Sequence, residues 1–239
     1  MATGSGKTKV MSLTIAWQFV NAVAEARDDF AKTFLLIAPN VVVFERLRTD
    51  FEGGRMFNTD PVIPNELRVF WDFQSYMRGE GERAGSLGAL YLTNIQPFYE
   101  RPQTGTEEPE AMTAVLGARP SADTQPVADF DRRILARGGP LAVVNDEAHH
   151  THDEEGEWNK IIRRLNQEVP KGLAAQFDFT ATPRHSKGQL FSWTVFDYPL
   201  KQAILDNVVK RPLKGIAKPP RVQIGLRLDP LPGVPVGGR

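Results

Sequence analysis

Short, almost uninterrupted apolar runs constrain this chain more than any other feature. Phe34-Leu35-Leu36-Ile37-Ala38, Leu90-Tyr91-Leu92-Thr93 and Leu141-Ala142-Val143-Val144 lack the polar alternation of a strand with one face in water. A strand that reads this way is covered on both faces, which is the situation of a parallel sheet. Helical spacing fills the intervals. Val10, Leu13, Trp17 and Val20 recur with Met11, Ile15 and Phe19 beside them, so this first helix is apolar on most sides and is expected to be buried. A second helix runs from about Val41 to Phe51, where Gly53-Gly54 stops it, and a third from Asp129 to Arg137. Trp158, Ile161, Ile162 and Leu165 fall at i, i+3, i+4 and i+7. Leu67 to Phe73 predicts a further strand, and Phe177-Asp178-Phe179 leads into Thr180-Ala181-Thr182-Pro183. Strands alternating with helices predict an α/β fold, a parallel sheet flanked by helices.

Composition removes several alternatives. The 239 residues balance 29 Lys and Arg against 29 Asp and Glu and include no cysteine. Without cysteine there is no disulfide scaffold, thiolate zinc site or thiol nucleophile. With no net charge, any contact with nucleic acid must come from a local patch. No apolar stretch is long enough to span a bilayer, and the first residues have no secretory h-region, so no membrane partner is expected and the default compartment is the cytoplasm.

The chemistry begins at residue 1. Met1-Ala2-Thr3-Gly4-Ser5-Gly6-Lys7-Thr8 fills the end of the phosphate-loop pattern, with Met1 where the first glycine of that pattern stands. Gly4 and Gly6 let the backbone curl so that successive N–H groups point at phosphate oxygens. Lys7 brings a positive charge to the β- and γ-phosphates, Thr8 offers a hydroxyl to Mg²⁺, and the following helix adds its N-terminal dipole. Such a loop normally follows a strand, so the sheet is expected to lack its N-terminal strand here and the chain to be a fragment or to start at an internal Met.

A second element is the acidic pair in Asn145-Asp146-Glu147-Ala148-His149, at the end of an apolar run. The carboxyl end of a strand is where an open α/β sheet places its ligands. Asp146 can hold Mg²⁺ through water, and Glu147 can polarise the water that attacks a γ-phosphate. Alone, such a pair is ordinary turn chemistry; the phosphate loop gives it meaning. His149, His150, His152 and His185 do not have the spacing of a metal site. His149 is better placed to bridge the acidic pair to another segment.

Met1 to Thr8, Asn145 to His149 and Phe179-Thr180-Ala181-Thr182-Pro183, in that order, resemble motifs I, II and III of superfamily 2 helicases and translocases, the middle one being similar to the DEAH box. Leu36 to Asn40 resembles motif Ia, and Leu92-Thr93-Asn94-Ile95-Gln96 resembles a later strand-end loop that touches nucleic acid. Within the superfamily the chain most resembles the type III restriction enzyme Res subunit and the helicase/UvrB-type N-terminal domain. The resemblance implies a RecA-like P-loop NTPase, the first motor domain only, over residues 1–215, followed by a Pro- and Gly-rich disordered tail over 216–239. It implies ATP and Mg²⁺ as cofactors, ATP being held by Thr3, Gly4, Ser5, Gly6, Lys7 and Thr8, with Lys7 and Glu147 catalytic. Thr8 and Asp146 would serve the metal. His149, Thr180 and Thr182 would couple nucleotide state to nucleic acid, and Pro39, Asn40, Thr93 and Asn94 would meet its backbone. The implied partners are DNA, with RNA left open, and a second motor domain or a restriction-modification subunit on another chain. Family motors hold ATP between two such domains, so the isolated chain is expected to be a weak or inactive ATPase. A stand-alone nucleotide-binding module and a degenerate gene fragment remain the alternatives.

Overall fold

The computed structural model describes residues 1–59, 62–77, 80, 85–94, 125–150, 156–184 and 188–212. Met1–Val209 form one compact unit; the second, Lys210–Arg239, falls almost wholly outside the described residues. So do most of the Pro-, Gly- and Glu-rich stretch over 100–127, read from the sequence as a surface loop, and the tail over 216–239.

Five strands form one parallel sheet: β1 (Thr33–Ala38), β2 (Phe73–Met77), β3 (Gly88–Asn94), β4 (Leu141–Asp146) and β5 (Leu173–Phe179), in the order β2-β3-β1-β4-β5. The apolar runs are the three central strands, and every residue of β1, β3 and β4 is buried. Their side chains divide by alternation. Phe34, Leu36, Leu90, Leu92, Ala142 and Val144 enter one core; Leu35, Ile37, Tyr91, Leu141 and Val143 enter the other. The first core is closed by α1 (Lys7–Ala24), α2 (Val41–Phe51) and α3 (Arg55–Thr59), through Met11, Ile15, Phe19, Phe44, Leu47 and Phe57. The second is closed by α4 (Gln125–Arg137) and α5 (Glu157–Glu168), through Phe130, Ile134, Trp158, Ile161 and Leu165. A short α6 (Leu200–Leu205) follows β5. Each fully buried Leu, Ile or Phe contributes about 1.5–3 kcal/mol of transfer free energy. This two-sided cover holds the strand ends in register.

Two expectations need correction. Leu67 to Phe73 is not a strand: Asn65–Phe70 is a 3₁₀ helix, and β2 begins at Phe73. Pro64 presets a turn in which its carbonyl accepts the Leu67 N–H at 3.0 Å. The apolarity of this stretch serves an aromatic cluster instead, with Trp71 4.8 Å from Phe73, 5.0 Å from Phe57 and 5.2 Å from Phe19 between ring centroids. Nor is α1 buried all round. Met11, Ile15 and Phe19 face the sheet, whereas Leu13 and Trp17 are 43% and 54% exposed on the outer side, where Trp17 meets Phe30 edge-on at 5.1 Å. Helical spacing locates both stripes, and only one finds the sheet.

Candidate functional site

The carboxyl ends of the parallel strands collect the motifs. The phosphate-loop residues curl as the glycines require: Gly4 and Gly6 have φ of 79° and 93°, in the left-handed region that glycine enters without penalty. The Ser5 hydroxyl and N–H both donate to the Ala2 carbonyl, at 2.6 and 3.3 Å, closing the curl. Gly6 is the N-cap of α1 and offers no side chain to the first helical N–H groups. Those donors and the helix dipole therefore face outward, an arrangement suited to an anion. Lys7 follows immediately and is only 8% exposed. A buried ammonium needs a partner, and Lys7 Nζ donates to Glu147 Oε1 at 3.1 Å.

Burial of the opposite sign lies across from the loop. Asp146, the last residue of β4, is fully buried. Its Oδ1 accepts the Glu147 N–H at 3.0 Å, and its Oδ2 accepts Arg46 Nη2 of α2 at 2.7 Å. Burial pushes the Asp146 carboxyl above the usual carboxylate range, Arg46 opposes that rise, and the neighbouring Glu147 adds to it. Glu147 has φ of 52°, a left-handed backbone unusual for a side-chain-bearing residue. The sharp turn this makes lets the two acids diverge, Asp146 toward α2 and Glu147 toward Lys7.

The acidic pair continues into β5. His149 Nδ1 lies 3.7 Å from Glu147 Oε2 and 3.4 Å from the Thr180 hydroxyl. Thr180 Oγ1 accepts the Thr182 N–H at 3.1 Å and stands 3.4 Å from the Thr182 hydroxyl. Lys7, Glu147, His149, Thr180 and Thr182 thus form one continuous polar line from the loop to the end of β5. The Met1 amino group donates to the Thr180 carbonyl at 2.9 Å, fixing the start of the loop to the same strand end.

The other predicted positions divide. Asn40 is exposed and caps α2, its Oδ1 accepting the Val43 N–H at 3.0 Å, with Pro39 half-buried beside it. Thr93 and Asn94 are 1% and 2% exposed. They are the last rungs of β3, paired in register with Ile37 and Ala38, and the loop that follows them lies outside the described residues. Thr3 and Gly4 are exposed and Ser5 and Thr8 half-buried, beside Lys7. His152 and His185 lie outside the described residues, as does the side chain of His150.

Two site contacts were not read from the sequence. Arg46 follows the apolar stripe of α2 as one of several surface cations, and nothing in its spacing marks it out. Asn145 had a detectable signal: an amide inside a buried strand must find partners. Its nitrogen donates to Asp178 Oδ1 at 2.7 Å, and its oxygen accepts Trp158 Nε1–H at 3.0 Å, tying the end of β4 to β5 and α5.

The donor set is of the hard-oxygen kind: the Thr8 hydroxyl and one buried carboxylate. Among the described residues no group of three or more His, Asp or Glu is gathered as a metal cage. Hard oxygens suit Mg²⁺, which keeps waters and shares phosphate oxygens with one or two protein ligands. Among the described residues no helix is long and apolar enough to cross a membrane.

Comparison with known families agrees with the geometry. The family described as type III restriction enzyme, res subunit, matches residues 1–185. The chain belongs to that family, and its parallel sheet is the RecA-like α/β fold of an ATP-binding, helicase-like superfamily 2 motor domain. No curated protein matches the chain.

Proposed function

We propose that this member of the Res-subunit family is the Mg²⁺- and ATP-dependent first motor domain of a DNA helicase or translocase of the restriction or repair type. The observation that carries the reading is the 3.1 Å contact between Lys7 and Glu147, which lie 140 residues apart. It brings the phosphate loop and the acidic pair to one place.

The residues divide the work by position. The uncapped N–H groups of α1 and the curled backbone of Thr3 to Thr8 bind the triphosphate, and Lys7 leaves Glu147 for its β- and γ-oxygens. That exchange frees Glu147 to orient water as general base. Thr8 and Asp146 would hold Mg²⁺, and the ion would supply positive charge against that developing on the phosphates. His149 senses the position of Glu147 and passes it through Thr180 and Thr182 to the end of β5. DNA lies across the same edge of the sheet, where Asn40, Val41 and Val42 are exposed at the start of α2. The N–H groups of Val41 and Val42, which the Asn40 cap leaves aside, suit a backbone phosphate, so contact there does not depend on net charge.

The test is ATP turnover by the full chain with and without DNA, in parallel with binding of a fluorescent ADP. DNA-stimulated turnover that disappears in Lys7→Ala supports the reading and overturns the expectation that the isolated chain is a weak or inactive ATPase. Nucleotide binding with no turnover under any condition favours a nucleotide-binding module instead. Stimulation by RNA and not by DNA reassigns the partner.

A further inference from the structure

Asp146 and Glu147 each have a cation of their own, and the two cations are not equivalent. Lys7 is buried and belongs to the phosphate loop. Arg46 comes from α2, 100 residues away, and its side chain is 52% exposed while that of Asp146 is wholly buried. Other ion pairs of the fold are more even. Arg164 and Asp131 are both largely buried, at 23% and 10%, and Arg27 and Asp29 are both open, at 52% and 64%. Arg46 is thus a half-exposed guanidinium that reaches inward onto a carboxylate with no exposure of its own. The backbone beneath Arg46 is fixed, because Phe44, Leu47 and Phe51 anchor α2 in the core and Asn40 caps it. Its guanidinium, half in water, can leave without disturbing the helix.

We propose that Arg46 is a positioning residue that acts as a tethered substitute for the divalent cation, holding Asp146 Oδ2 until Mg²⁺ and nucleotide take its place. This rests on the nucleotide-site reading above. An unpartnered carboxylate at this depth would be costly, and the arginine removes that cost in the resting site. The same contact makes metal entry a competition. Arg46 must give up a charge-assisted hydrogen bond of 2.7 Å before Asp146 can turn toward a metal-bound water. Metal binding therefore releases a cation onto the surface of α2, the helix whose first turn faces the proposed DNA track.

The test is Mg²⁺ titration of fluorescent-ADP binding to the full chain at pH 8, with the metal-free affinity measured in chelator. In Arg46→Ala the Mg²⁺ midpoint is expected to fall about fivefold while the metal-free affinity stays within about twofold, the size expected for loss of one half-solvated ion pair. Arg46→Lys keeps the charge and the fold and is expected to lie between the two. A midpoint in both variants that is unchanged or raised overturns the proposal, as does a metal-free affinity that moves as far as the midpoint. Wild-type chain that binds no nucleotide at any Mg²⁺ concentration overturns the nucleotide-site reading itself, and this inference with it.

Discussion

The two ends of the sheet both carry charge and use it differently. At the amino end, Arg27, Lys32, Arg137 and Lys171 surround a cavity of about 490 Å³. Arg27 pairs with Asp29 at 2.6 Å and lies over the Phe30 ring at 4.5 Å, and Lys171 stands 3.9 Å from Asp28, these four charges being open to water, while the half-buried Arg137 donates to the neutral Ser86 carbonyl at 3.0 Å. At the carboxyl end, Lys7 and Asp146 are buried and each meets a partner far away in sequence. Solvated pairs are screened and exchange freely with water, whereas a buried charge is held to one partner geometry. The contrast teaches that charge count does not mark the site of this fold. What marks it is charge kept out of water by strand ends and helix starts.

Four substitutions test that contrast. The largest effect is expected from Glu147→Gln, which leaves the loop intact: ATP turnover should fall about 10²- to 10⁴-fold, the usual contribution of a general base, while nucleotide affinity stays within a few fold. Lys7→Ala should weaken fluorescent-ADP binding by about 100-fold, since it removes a buried cation from the phosphates. Equal affinity in the variant would show that burial of Lys7 serves the fold alone. Asn145→Ala should cost about 1–3 kcal/mol in urea unfolding, because the Trp158 N–H loses its acceptor inside the core. A neutral result would mean that the polar tie between β4, β5 and α5 is dispensable. The smallest effect belongs to the other end, where Arg27→Ala should alter neither the unfolding midpoint nor nucleotide affinity. A loss of binding there would erase the distinction between the two ends.

The fold was more legible in the sequence than the site. β1 and β4 follow from uninterrupted apolar runs, because a strand buried on both faces leaves no other pattern. α5 follows from Trp158, Ile161, Ile162 and Leu165, all of which reach the core. Leu67 to Phe73 misled because hydrophobicity alone does not distinguish a strand from a turn that packs aromatic rings, and Pro64 was the stronger signal. Leu13 and Trp17 misled because spacing gives the angle of a stripe without saying which stripe meets the sheet. Within the site, the loop, the acidic pair and the two threonines are local motifs, so the sequence displays them. Arg46 is legible only once α2 is folded onto the sheet, since the contact with Asp146 depends on how two elements pack and on no spacing along the chain. The burial of Thr93 and Asn94 likewise depends on register with β1, which no local pattern encodes.

The left-handed turn at Glu147 carries a consequence for how such a protein can be improved. A side chain at that backbone angle costs about 1 kcal/mol relative to glycine. Glycine in its place would relieve that strain but leave the buried Lys7 ammonium without its carboxylate, a loss of about 3–5 kcal/mol, so the exchange is expected to make a weaker protein as well as a chemically idle one. Selection for heat resistance alone therefore keeps the acid at this turn, and a stabilised descendant must have gained its robustness elsewhere in the molecule.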